Sequence, residues 1–386
     1  MRAYGLFSGI GGFELVLSRR GVDCLGMCDI DEAASAVLRQ RFPGVPISGD
    51  IARLGKLPPV DILTAGFPCQ DLSQAGPKVG ISGKRSSLVD HVFRLVEASR
   101  AKPKWVVMEN VSYMLKLDNG AAMQYLLRTI EQMGFSWAYR VLDARAFGLP
   151  QRRERVILIM SKHYDPSQAL FPDGYVEPHV NDAVGDVDKR FDYGFYWTEG
   201  KRGLGWTRNA VPTIKGGSGI GIPSPPAIWR PTTNEFGTPT IRDAERLFGY
   251  PADWTVVAGA VTNKKGARWK LVGNTVCLPM VDWVCEQLSN PRGMGAECNE
   301  IERAARPPRA AFGKKGRRWA VDVSTWPIDS RPVALRKYLS EALSPLSLRA
   351  AMGFQSRARD TRTIRFAAGF LDGLSSYIET QYAARV

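Results

Sequence analysis

Two hydrophobic patterns take turns along the first part of the chain. Runs at 3–7, 23–28, 61–65 and 105–109 are short and largely apolar, the pattern of strands buried on both faces. The stretches 13–20, 33–42 and 88–99 instead space their apolar residues along one face of a helix. This alternation predicts an α/β domain with a mostly parallel sheet. In such sheets ligands gather at the carboxyl ends of the strands. The residues that close the runs are Phe7-Ser8-Gly9, Asp29, Asp50, Gly66-Phe67-Pro68-Cys69 and Glu109-Asn110, so polar and glycine-rich chemistry recurs at one predicted edge. From about 164 to 240 the periodicity fades into Gly, Pro, Trp and Arg, which predicts loops and short strands on a smaller domain. Helical spacing returns at 243–248 and 278–288. The predicted division is 1–163 as the main domain, 164–270 as the small one and 271–290 as a return segment completing the first. Residues 291–386 then form a basic linker and an extension with helices near 333–343 and 363–378.

Composition narrows the class. With 386 residues, 44% hydrophobic and 23% charged, the chain can bury a full core. Its net charge of +14 favours a polyanionic partner, nucleic acid first, although a solvated basic surface gives the same excess. The cysteines, Cys24, Cys28, Cys69, Cys277, Cys285 and Cys298, form no C-x-x-C pair, so neither a metal site nor a disulfide framework is expected. No apolar run approaches about 18 residues, so no membrane span or leader is expected, and the location should be cytoplasmic.

Phe7-Ser8-Gly9-Ile10-Gly11-Gly12 follows a predicted strand and opens a helix, which suits either close approach to a ligand or a tight structural turn. Asp29 stands where an acid commonly holds ribose hydroxyls, and a helix cap is the equal alternative. Cys69 is different in kind. A lone cysteine is usually a small buried hydrophobe, the reading that Cys24, Cys28, Cys277 and Cys285 keep. Cys69, however, follows a strand inside a Pro- and Gly-rich loop, and loops on a rigid scaffold commonly carry reactive groups.

Taken with Gly49-Asp50-Ile51, Arg85-Ser86-Ser87-Leu88, Glu109-Asn110-Val111, Gln151-Arg152-Arg153-Glu154-Arg155 and Gly273-Asn274-Thr275-Val276, these motifs occur in an order that resembles the DNA cytosine-5 methyltransferases. The resemblance covers roughly residues 1–290. It implies a Rossmann-like class I methyltransferase fold with helices on both faces of a mixed, mostly parallel sheet. A small irregular target-recognition domain is implied as well, and S-adenosylmethionine as cofactor. On this resemblance Phe7, Ser8, Gly9, Ile10, Gly11 and Gly12 line the cofactor, Asp29 and Ile30 hold its ribose end, Asp50 and Ile51 border the adenine, and Gly66, Asn274 and Thr275 complete the pocket. Two departures from the family pattern are Asp29-Ile30, where Glu and an aromatic are usual, and Asp143-Ala144, where Asn-Ala is common.

The implied chemistry is covalent. Carbon 5 of cytosine is a weak nucleophile, so a thiolate, here Cys69, adds first to carbon 6. Glu109 is expected to hold a proton against ring nitrogen 3, and Arg155 to bind the base carbonyl. Arg153 is expected at a phosphate or the active-site loop, unless both arginines only form a basic rim. The base must leave the duplex to react. Gln70, Ser73, Arg85, Gln151, Arg208, Thr213 and Lys215 are the candidate DNA contacts, and Arg303, Arg306, Arg309, Lys314, Lys315, Arg317 and Arg318 are expected to touch phosphates non-specifically. The expected partner is double-stranded DNA, with a monomeric chain and, as a candidate companion, a restriction endonuclease acting on the same site. A transfer RNA cytosine-5 methyltransferase and a catalytically lapsed DNA-binding relative are the alternatives.

Overall fold

The structure, a computed structural model, describes residues 1–68, 87–172, 185–199, 203–217, 223–262, 266–328, 330–360 and 365–384. The main domain runs through β1 (Arg2–Leu6), α1 (Gly12–Arg19), β2 (Asp23–Cys28), α2 (Glu32–Arg41), β3 (Ile47–Ser48), β4 (Ile62–Ala65), α3 (Leu88–Ala98), β5 (Trp105–Val111), α4 (Ala121–Gln132), β6 (Ser136–Asp143), β7 (Gln151–Arg152), β8 (Glu154–Ser161) and α5 (Ser167–Leu170). The helices start where local chemistry satisfies their first N–H groups. Asp31 accepts from Ala33 and Ala34 at the head of α2, and the Asp90 carboxylate reaches back to the Ser87 N–H, 2.8 Å, at the head of α3.

β3, β2, β1, β4 and β5 lie side by side and parallel, and β8 and β6 continue the sheet antiparallel. Two apolar cores cover it. On one face α1, α2 and α9 (Leu278–Ser289) bury Phe13, Val16, Val37 and Val281; on the other, α3 and α4 bury Val92, Phe93, Leu126 and Ile130. Register decides the function of one edge. Leu6 pairs with Cys28 and Ala65, and Ala65 with Met108, so the next residues along each strand, Phe7, Asp29, Gly66 and Glu109, emerge together. β8 runs the other way, and Val111 pairs with Arg155, which returns that arginine to the same edge.

The small domain contributes β9 (Tyr193–Phe195), β10 (Thr207–Arg208), β11 (Val211–Pro212), β12 (Ala227–Arg230) and β13 (Glu235–Thr238). The chain leaves it near residue 240 rather than 270. The following helices α6 (Ile241–Arg246), α7 (Ala258–Val261) and α8 (Ala267–Asn274) bury Ala244, Phe248, Ala258 and Leu271 in the same core as α1.

Residues 291–386 are not a linker with an appendage. β14 (Cys298–Glu300), β15 (Ala310–Lys314) and β16 (Arg317–Val321) extend the main sheet, with β15 hydrogen-bonded to β6. Many of their charges are paired within the chain, and one is buried. Arg318 is buried against Glu131, 2.7 Å away, while Arg309 pairs with Glu154, Lys314 with Asp165 and Arg317 with Glu300. Four of the seven expected phosphate contacts are therefore engaged with carboxylates, a pairing that a count of basic residues cannot reveal. Beyond α10 (Leu335–Tyr338), β17 (Ser344–Pro345) becomes the edge strand of the small sheet, in the order β10-β9-β12-β13-β17. α11 (Leu348–Arg359) and α12 (Phe370–Ala383) then close over it. Phe195, Trp206, Trp229, Phe236, Phe354 and Phe370 share one aromatic core. Asp192, fully buried, pairs with Arg230 and with Arg336 of the tail.

Candidate active site

The turn after β1 is held from three sides. Phe7, Gly9 and Gly11 have φ of 55°, 55° and 83°, the left-handed region that glycine tolerates and Phe7 adopts under constraint. Asp29 Oδ2 accepts from the Gly9 N–H at 2.7 Å and Oδ1 from the Asp31 N–H at 2.9 Å. The cap of α2 is Asp31, so Asp29 is not the cap; it fixes the glycine turn and retains lone pairs for a ligand hydroxyl. Burial raises the Asp29 carboxyl above its ordinary value, with Asp31 adding to the rise. From 244 residues away, the Trp254 indole donates to the Ile10 carbonyl at 2.9 Å, and Arg41 stacks on that indole at 4.7 Å. Gly12 has no room for a side chain, because a Cβ there would lie 2.4 Å from the Tyr250 hydroxyl.

Beside this turn, Ile30, Ser48, Gly49, Asp50, Arg53 and Leu54 line a cleft of about 500 Å³. Ile30 is 79% exposed, an aliphatic side chain held out over the cleft for want of a protein partner. Asp50 caps the turn 51–53 through Ala52 N–H, 2.9 Å, while Ile51 is buried beneath. Ile10 is also buried, so both isoleucines shape the walls from behind rather than touch a ligand with their side chains. Thr275 shares a hydrogen bond with Tyr250, 2.6 Å, and Asn274 lies against Gly216, where a Cβ would fall 2.3 Å from its Oδ1. The cleft fits a nucleoside, and the neighbouring glycine turn at the head of α1 fits a polar tail attached to it.

At the end of β5 the Glu109 carboxyl is buried, and Gly66 brings the neighbouring strand end so close that a Cβ there would lie 3.9 Å from Oε2. Arg155 Nε approaches Glu109 Oε1 to 2.8 Å, an ion pair whose N–H is not aligned for a hydrogen bond. Burial raises the Glu109 carboxyl, and Arg155 and Arg153 oppose the rise without cancelling it. Asn110 Nδ2 donates to the Phe67 carbonyl at 2.9 Å and anchors the chain two residues before Cys69. Cys69 itself, with Gln70, Ser73 and Arg85, lies outside the described residues.

Arg153 does not face a phosphate. It is buried, and its guanidinium donates to the carbonyls of Ile214, Gly273 and Thr275 at 3.0, 3.1 and 2.7 Å, joining the small domain to the cofactor side. Burial lowers its pKa to about 9. Gln151 is equally internal, donating to the Leu247 carbonyl, and the Thr213 hydroxyl donates to the Arg152 carbonyl. Both side chains are engaged with protein backbone. Arg208 pairs with Asp188 and stacks on Phe191, and Lys215 pairs with Glu199 over the Tyr196 ring. Glu14, which is not among the candidate site residues of the sequence, is 2% exposed and sits beneath the glycine turn. Its place among Phe13, Val16 and Leu17 on the buried face was the available signal. Among the described residues no cluster of His, Cys, Asp and Glu could hold a metal ion, and no helix is long and apolar enough to cross a membrane.

A glycine turn after the first parallel strand, an acid closing the second and a nucleoside-sized cleft between them define a Rossmann-like methyltransferase. The fold of the S. pombe Dnmt2 methyltransferase agrees, with a TM-score of 0.54 at 15% identity, covering 75% of this chain and 99% of that one. A family described as C-5 cytosine-specific DNA methylase matches residues 1–201, and the chain belongs to that family. It is 46% identical to the type II methyltransferase M2.BsuMI of Bacillus subtilis (strain 168), over 97% of both chains. It is also 29% identical to the type II methyltransferase M.NlaX of Neisseria lactamica, over 73% of this chain and 94% of that one. The chain is accordingly a DNA cytosine-5 methyltransferase that uses S-adenosylmethionine.

Proposed function

We propose that this chain methylates carbon 5 of a flipped cytosine within one short sequence of duplex DNA, through a covalent adduct of Cys69 with carbon 6. The observation that carries this reading is the buried Glu109–Arg155 pair at the strand end beside Gly66, next to the glycine turn and its cleft. The cofactor supplies an electrophilic methyl group. Phe7 to Gly12 and Asp29 hold its methionyl and ribose parts, and the cleft of Ile30 and Asp50 takes the adenine.

The chain's own residues do the remaining chemistry. The Cys69 thiolate forms the bond to carbon 6 as electrons from the 5,6 double bond shift into the ring. Glu109, whose carboxyl burial shifts toward the protonated form, gives a proton toward ring nitrogen 3, while Arg155 receives the growing charge at the base carbonyl. Carbon 5 takes the methyl as the cofactor's sulfonium becomes a neutral thioether, then loses its own proton to solvent base; the carbon–sulfur bond breaks to return the thiolate as nitrogen 3 gives its proton back to Glu109. Arg153 acts by position, fixing the junction between cofactor motif and recognition domain. Arg208 and Lys215 stay the candidates for DNA contact, at the cost of exchanging Asp188 and Glu199 for phosphate or base. The reading includes a monomeric enzyme, and the type II designation of its relatives supports an endonuclease cutting the same site.

Expression in a methylation-free bacterial host followed by bisulfite sequencing tests it. Cytosines should be protected within one motif of a few base pairs, and Cys69→Ser should abolish protection while DNA binding remains. Protection of transfer RNA alone would replace DNA by RNA as substrate, and full protection by Cys69→Ser would remove the covalent step.

A further inference from the structure

Glu14 is a buried acid that the mechanism above leaves without a task. It is the third residue of α1, and its side chain turns back beneath the glycine turn. Oε1 accepts from the Ser8 hydroxyl at 3.0 Å, and Oε2 is buried with no hydrogen-bond partner. Gly5 of β1 is required by this placement, since a Cβ there would lie 1.7 Å from Oε1. The carboxyl therefore occupies space cleared for it, under a loop whose outer surface meets the cofactor.

A helix start lined with glycines ordinarily attracts anions. The methionyl end of S-adenosylmethionine carries a carboxylate that suits such a site, and also an ammonium that does not. We propose that Glu14 is the positioning residue that makes this loop receive the ammonium, with the Ser8 hydroxyl as the relay. This inference rests on the cofactor assignment above.

An ionised Glu14 draws the Ser8 proton inward, so the hydroxyl oxygen turns its lone pairs outward and accepts from an ammonium. A protonated Glu14 can donate to Ser8 instead, which frees the hydroxyl proton to point outward and repel the same group. The groups around Glu14 are Ser8 on the loop, Thr64 on β4, Asp29 after β2, the Tyr250 hydroxyl, and the thiols of Cys24 on β2 and Cys285 on α9. None of these is cationic. Burial raises Glu14 to about 7, with Asp29 adding to the rise, so the arriving ammonium is the cation that completes the site and displaces the proton.

Calorimetric titration of the full chain with S-adenosylmethionine, repeated in buffers of different ionisation enthalpy, counts that proton. With a free value of about 7, binding at pH 6 should release about 0.9 proton and at pH 8 about 0.1, and affinity should rise about tenfold between them. 5′-Methylthioadenosine, which lacks the amino-acid end, should bind without this linkage. Glu14→Gln should abolish the proton release and weaken S-adenosylmethionine about tenfold at pH 8. Ser8→Ala should lose the pH dependence with Glu14 still present, and it keeps the test valid should Glu14→Gln fold poorly. Binding by the wild type without proton release at pH 6, or the same release with 5′-methylthioadenosine, overturns the role of Glu14 and leaves the cofactor assignment standing. Wild-type affinity in Ser8→Ala overturns the relay. No binding of S-adenosylmethionine by the wild type overturns the cofactor assignment itself.

Discussion

Phe370→Ala should uncouple DNA recognition from cofactor binding. Phe370 opens α12 and is fully buried at the centre of the small domain's aromatic core. Its ring centroid lies 5.1 Å from Phe195, 5.3 Å from both Trp206 and Trp229, 5.7 Å from Phe366 and 5.8 Å from Phe236. Truncating a buried Phe costs about 3–5 kcal/mol, and close aromatic pairs place this site toward the upper end. About 4 kcal/mol lowers the folded-to-unfolded ratio of the small domain roughly a thousandfold. The cofactor turn and cleft are built on the other two cores and contain no member of this cluster. Urea unfolding should accordingly show an early transition of the small domain. S-adenosylmethionine affinity should stay within about twofold, and specific DNA binding should fall at least tenfold. A cost under about 1 kcal/mol, or a matching loss of cofactor affinity, would refute the proposal that α12 stabilises a DNA-recognition unit independently of the cofactor site.

Glu109→Gln should lower turnover about 10²–10⁴-fold with DNA affinity within threefold, as measured by single-turnover methylation, because the amide keeps the shape but has no acid proton. Since burial raises the Glu109 carboxyl, wild-type turnover should fall with rising pH at a higher pH than an ordinary glutamate would give. Trp254→Phe removes the donor to the Ile10 carbonyl, worth about 1–1.5 kcal/mol, and calorimetry should show cofactor binding five- to tenfold weaker with DNA binding unchanged. Glu14 also predicts how stability depends on pH. Its folded value of about 7 stands above the ordinary 4.5, so its contribution is intact below 4.5 and is lost as pH rises to 7. The loss is about 3 kcal/mol. Cofactor-free Glu14→Gln should thus melt above the wild type at pH 8 but not at pH 4.5, and equal melting temperatures at pH 8 would contradict a buried, raised carboxyl.

The sequence alone determined the parallel part of the main sheet and the residues that meet at its edge. A parallel sheet has a fixed side-chain period and a fixed edge for loops, so Phe7, Asp29, Gly66 and Glu109, each following an apolar run, had to meet once register aligned the runs. Glycines that need positive φ at 9 and 11, and the Asp31 cap, are equally local. What only the tertiary structure decided is which long-range partner each polar group found. Arg153 and Gln151 share one motif with Arg155, yet their surroundings bury them on backbone carbonyls, while Arg155 meets Glu109. Glu14 has no partner visible in the sequence until the fold sets Gly5 and Ser8 against it. The tail reads as a linker because its three strands are short and set in a stretch rich in Arg, Lys and Pro. Those charges are satisfied by Glu131, Glu154 and Asp165 far away in the chain, and the apolar surface of α12 is satisfied by rings from 193–236. Periodicity records which face of an element is buried, but the identity of what buries it is a property of the assembled fold.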